Sequence, residues 1–256
     1  MPDTVQNDLH RKHKEFSMSH VAAKMVTGAL VALSGFASAQ TQQPSAGPKP
    51  LPSPATQVLV PQGVYAQIDT RMGQEALRLL SQGTPQQQQA VLERVRATPE
   101  RFQPPVFYVL SQTLFKAGLR DEAAFWFYAG QLRARFDANR CADVTARQAV
   151  DVMNQSYGAP INRHLFQDLD KAQELIAKVV DWDRRTPHAY DPHWINLHGM
   201  QAVQASRDPQ LAARLTMESL SLPASQWPVL AEQTRTKYLQ GFQDAISQLK
   251  AESKSK

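Results

Sequence analysis

The sequence is short of cysteine: Cys141 is the only one in 256 residues. No intrachain disulfide can form, so a fold stapled by disulfides is excluded. Cys141 reads as a small buried hydrophobe or, in an oxidising compartment, as a thiol that links two chains into a disulfide-bonded dimer. A catalytic thiol is disfavoured, because no histidine neighbours it in the sequence. HExxH, CxxC, GxSxG and phosphate-binding glycine loops are all missing, which removes the usual signatures of zinc proteases, thiol redox proteins, serine hydrolases and nucleotide-binding folds, and no cofactor is implied. Charge of one sign is lacking too. After residue 39 there remain 24 basic and 20 acidic residues, dispersed apart from the SKSK tail at 253–256. That balance is a weak argument for nucleic acid, and no nucleic-acid partner is expected.

Long apolar runs are also missing. Residues 25–37, MVTGALVALSGFA, are thirteen mostly apolar residues preceded by Lys24 and followed by Ala37-Ser38-Ala39. The run falls short of the ~20 residues that a membrane-spanning helix needs. Charge, short apolar stretch and small-residue site together predict a signal peptide over 1–39. Residues 1–17 are read as a possible over-extended start, since Met18 stands just before the segment. Cleavage after Ala39 would deliver a periplasmic protein that begins at Gln40 and has no transmembrane anchor. Residues 40–63 (QTQQPSAGPKPLPSPATQVLVPQG) read as an extended, disordered Pro/Gln-rich tether. A single all-α domain is expected over 64–251, with a disordered basic tail at 252–256.

What the chain has in quantity is helix punctuation. Asp69 or Thr70 opens a helix that Gly83 stops, and Thr84-Pro85 and Pro104-Pro105 open the next two. Asp121 stands at the start of a helix running to about Phe136. Thr145 begins one expected to end near Tyr157-Gly158, and Asp168 caps LDKAQELIAKVVDWDRR. Asp191-Pro192 opens HWINLHGMQAVQA, Asp208-Pro209 opens QLAARLTMESL, and a last helix spans about 225–250. No convincing strand is evident beyond VLV at 58–60. The expected class is all-α with short connections.

Residues 104–137 resemble one tetratricopeptide unit, thirty-four residues folded as two antiparallel helices. Phe107, Leu110-Ser111 and Leu114 match the first helix, Gly118 the turn, and Ala123, Phe127 and Gly130 the second. Arg135 stands where that family's proline is expected, and no second unit matches as well. The resemblance implies an irregular stack of helical hairpins. The block FWFYAGQLRARFDANRC also resembles uncharacterised exported proteins of Gram-negative bacteria, which implies a compartment and no activity.

Two clusters are candidates for function. Phe125, Trp126, Phe127 and Tyr128 are consecutive, so on a helix they point about 100° apart and make it apolar all round. Either neighbouring helices cover them, or Phe125, Trp126 and Tyr128 line a groove for a protein partner of the cell envelope. The polar stretch DWDRRTPHAYDPHWINLHG, 181–199, collects Asp183, His188, His193 and His198. Histidines five apart diverge by about 140° on a helix, which is poor metal-ligand spacing. There Asp183 is expected to pair with Arg184 and Arg185, Asp191 to cap and His198 to pack. DANRCADVTARQ reads as a hydrogen-bonded corner. The functional expectation is an exported, non-enzymatic interaction module. The alternatives are an immunity protein that neutralises an interbacterial toxin, and a metal-dependent or acid–base hydrolase using the 181–199 loop.

Overall fold

The computed structural model describes residues 60–254. The predicted signal peptide, its cleavage site and most of the tether lie outside the described residues. Nine α-helices are present among them: α1 (Arg71–Gln82), α2 (Pro85–Ala97), α3 (Pro104–Lys116), α4 (Arg120–Arg140), α5 (Gln148–Leu165), α6 (Leu169–Arg185), α7 (Met200–Ala205), α8 (Pro209–Arg214) and α9 (Trp227–Lys254). Short 3-10 turns join several of them. No β-strand occurs among the described residues; the one pairing of that kind is an isolated bridge between Cys141 and Ser221.

The helix starts follow from the caps. Thr84 forms a full capping box with Gln87, each side chain bonding the other's backbone amide. Asp168 accepts from the amides of Asp170 and Lys171, and Asp208 from those of Gln210 and Leu211. The α3–α4 connection needs a left-handed residue, and Gly118 supplies it with φ +85°. Further along, a Cβ on Gly130 would fall 3.0 Å from Cβ of Phe107, so the missing side chain lets α3 and α4 approach closely.

α4 is the hub. It packs against α3, α5, α6 and α9, and fifteen of its twenty-one residues are buried. A helix covered on all sides needs no polar face, which explains the row of four aromatics.

Several predicted boundaries are corrected. α5 begins at Gln148, after a 3-10 turn over Val144–Arg147, and does not stop at Gly158. It continues through Pro160 to Leu165, because Ile161 and Leu165 are buried in the same core as Val150. The helix expected from Pro192 is broken: Pro192–His198 is a 3-10 segment and α7 restarts after Gly199. Asp143 and Thr145 cause the break, their side chains accepting from the amides of Gln201 (2.8 Å) and Met200 (2.8 Å). α8 ends at Arg214, well short of the predicted stretch. At the ends, the 3-10 turn Gly63–Gln67 takes up the last tether residue, and α9 runs to Lys254, past the point where a disordered tail was expected.

Candidate functional site

Three charged residues of α4, Arg133, Asp137 and Arg140, are fully buried. Their spacing of four and three residues puts them on one side of the helix. Around that side the structure builds two buried carboxylate centres.

The first is Asp183, on the last turns of α6. Its Oδ1 accepts from Arg133 Nε at 2.9 Å and lies 2.9 Å from Nε2 of His188, while Oδ2 accepts from Arg235 Nε on α9 at 2.8 Å. Arg133 also donates to the Thr186 carbonyl at 2.8 Å, and its guanidinium lies over the Trp182 ring, 4.4 Å from the centroid. His188 stacks on Tyr190 with the ring planes 19° apart. The second centre is Asp137. Its Oδ2 accepts from the Tyr190 hydroxyl (2.9 Å) and Trp194 Nε1 (2.7 Å), and Oδ1 from Arg140 Nε (3.3 Å). Arg140 then donates to Ser221 Oγ at 3.0 Å and covers the Trp227 ring. Together the two carboxylates tie α4, α6, α9 and the 186–199 connection into one assembly.

Burial by itself would raise the Asp183 pKa. The hydrogen bond and charge of His188, with the charges of Arg133 and Arg235, outweigh it and hold the carboxyl well below the usual carboxylate range. A carboxylate so occupied is a poor proton acceptor near neutral pH. Its linkage to stability has a definite sign: with the folded pKa depressed, the stabilising contribution is complete above the unfolded value of about 4 and is lost as pH falls through the folded one. Asp191 adds in the same direction. Burial opposes its ionisation, but bonds from His193 and the Asp69 amide lower its pKa overall. Denaturant melts are therefore expected to show constant Asp183 and Asp191 contributions from pH 8 to 5 and a loss below about pH 4. Asp183→Asn should flatten that acid limb; an unchanged limb would contradict the assignment.

The structure separates the sequence-predicted site residues. Asp183 does not pair with its neighbours: Arg184 bonds Glu232 and Arg185 bonds Asp181. The three histidines do not converge. His188 is on Asp183, His193 Nδ1 lies 3.0 Å from Asp191, and His198 is exposed, with its ring edge-on to Trp194. Asp191 caps as expected, accepting from the His193 amide at 2.9 Å. Among the described residues no group of three or more His, Cys, Asp or Glu is placed to hold a metal ion.

The aromatic groove is corrected too. Trp126 is 5% exposed and Tyr128 is fully buried. Trp126 is enclosed by Phe107 at 5.2 Å, Trp182 at 5.8 Å and Phe125 at 5.3 Å between ring centroids, with Nε1 donating to Glu122. Tyr128 packs edge-on to Phe242 of α9 and donates to Asn162 at 2.7 Å. Phe125 is half-buried beneath Lys178. The covering helices are α6 and α9, which the reading of one hairpin could not supply. Cys141 is a buried free thiol, held by Asn196 Nδ2 at 3.1 Å and pushed up to about 11 by burial, a placement that gives a disulfide-linked dimer no support.

Sequence reasoning missed Arg133, Arg235, Asp137 and Tyr190 as partners in these centres. A signal for three of the buried groups existed, because Arg133, Asp137 and Arg140 recur at helical spacing just after the aromatic run. Their partners on α9 and the 186–199 connection left no such trace.

No helix among the described residues is long and apolar enough to cross a membrane. No family model matches the chain, and no solved structure matches it. The chain is similar to an uncharacterised protein of Haemophilus influenzae, with 27% identity over 112 residues. That alignment spans 43% of this chain and 44% of the relative, so the chain covers under half of the protein it resembles.

Proposed function

We propose that this protein is an exported, non-enzymatic interaction module of the cell envelope, an irregular tetratricopeptide-like stack that binds a protein partner through the outer face of α9. The export part rests on the apolar run and the Ala37-Ser38-Ala39 site. The stacking part rests on the tight α3–α4 hairpin and its Gly118 turn.

The observation that carries the binding surface is on α9. Val229 is 62% exposed and borders an open depression lined by Pro228, Glu232, Gln233, Thr236 and Lys237. An aliphatic side chain flanked by both signs of charge suits a partner segment that presents one apolar anchor between an acid and a base. The aromatic row of α4 is excluded from this role by its burial.

Two measurements test the reading. Intact mass of the exported protein is expected to correspond to a chain beginning at Gln40; a mass that retains residues 18–39 would remove the export claim. A photo-crosslinking residue at Val229 is expected to trap a discrete partner in living cells, while the same residue at exposed Val152 on α5 traps none. Equal trapping at both positions, or none at 229, would remove the α9 surface.

A further inference from the structure

The two charges beside Val229 are not equivalent. Glu232 is already engaged from two sides: Arg184 of α6 donates to its Oε1 at 2.6 Å, and Arg235 Nη1 donates to its Oε2 at 3.3 Å. Lys237, further along α9, is exposed and makes no ion pair with any described residue. The next acid on the helix, Asp244, accepts from Gln240 and lies about 10 Å beyond it along the axis.

The surroundings do not supply the missing carboxylate. The last turns of α6, the first half of α9 and Arg133 between them carry the cations Arg133, Arg184, Arg185, Arg235 and Lys237. Against these stand only Asp181, Asp183 and Glu232, each already bonded to arginine. The carboxylates are therefore spent within the fold, and the charge left facing solvent on this part of α9 is positive. Spacing adds a second constraint. Val229 and Lys237 are eight residues apart, a rise of about 12 Å along the helix and a turn of about 80° around it. Gln233 and Thr236, which stand between them, are neutral.

We propose that the partner of the α9 surface is acidic, an inference that rests on that surface being the one used. The partner is a protein segment that seats an aliphatic side chain at Val229 and sets a carboxylate on Lys237, about 12 Å away. Of the two charges beside the anchor, the lysine carries the ionic recognition, and Glu232 serves to hold Arg184 and Arg235 in place. A contact at the rim of an interface acts mainly by steering the approach and rejecting partners of the wrong sign. An anionic membrane would offer the same sign of charge. Membranes, however, recruit clusters of about four to eight basic residues, and one lysine beside one valine falls short of that.

Photo-crosslinking from position 229 in living cells tests this when it is repeated in charge variants of the full chain. In the Lys237→Glu chain the yield of trapped partner is expected to fall about tenfold, because like charges then meet. Lys237→Arg and Glu232→Gln should both keep the unsubstituted yield. Lys237 is exposed and unpaired, so its replacement should leave the melting temperature where it was. Should Lys237→Glu lower it, Lys237→Gln repeats the comparison without adding an acid, with an expected loss of about two- to fivefold. A Lys237→Glu chain that traps the partner undiminished would overturn the acidic partner and leave the α9 surface standing. Loss with Glu232→Gln as large as with Lys237→Glu would overturn it as well, and so would a trapped species that mass spectrometry identifies as lipid. No trapping at 229 without any charge substitution removes the α9 surface and the acidic partner together.

Discussion

Asp183→Ala is expected to destabilise the fold by about 3–5 kcal/mol, the range seen when one partner of a buried ion pair is removed. Arg133 is fully buried and Arg235 nearly so. Arg133 would keep its charge and lose its carboxylate, Arg235 would be left with Glu232 at 3.3 Å, and His188 would lose its partner. Cost on this scale comes from stranding cations in a low dielectric more than from the loss of the bonds themselves. Asp181→Ala is the matched control: it removes a carboxylate two residues away whose arginine is exposed, and its effect should stay within about 0.5 kcal/mol. Equilibrium denaturation of the two variants checks the contrast, and equal midpoints would refute the buried-centre account. A chain that loses its helical circular dichroism altogether would express the same result more strongly.

Trp126→Ala is expected to cost about 3–5 kcal/mol, as a cavity left in a core that cannot collapse onto it. The indole is packed by Phe107, Phe125 and Trp182, in tilted or edge-to-face arrangements. Phe107 and Trp182 also face Arg133, so the cavity would loosen the guanidinium that neutralises Asp183. The effects of Trp126→Ala and Asp183→Ala should therefore be non-additive, because they share Arg133 and Trp182 as neighbours. Thermal or chemical melts of both single variants and the double variant measure this. A Trp126→Ala protein with wild-type stability would revive the open groove that the burial argues against.

Of the candidate sites, the composition of each was legible and its disposition was not. The aromatic row could be read as apolar on every side, but two endings fitted that pattern, cover by helices or an open groove. The 181–199 stretch could be read as rich in histidine and aspartate. Only the geometry shows that Asp183 turns inward to α4 and α9, while His193 serves Asp191 and His198 stays on the rim. The buried triplet Arg133, Asp137 and Arg140 was open to detection from its spacing. Its answering groups, Asp183 for Arg133 and Tyr190 for Asp137, lie 50 and 53 residues away and obey no local rule.

By itself the sequence determined the all-α class, the capped helix starts at Thr84, Asp168 and Asp208, and the Gly118 turn. These depend on local backbone chemistry: a side-chain oxygen within three residues of an orphan amide, or a residue that tolerates positive φ. Tertiary structure decided the rest. It carried α5 past Gly158 and Pro160, broke the helix at Gly199 through Asp143, covered Trp126 with α6, and gathered three cationic or hydrogen-bonding groups onto Asp183. The physical reason is that burial and charge pairing act between segments distant in the chain. Their energies, several kcal/mol for a buried charge or indole, exceed the fractions of a kcal/mol by which local propensity distinguishes one backbone state from another.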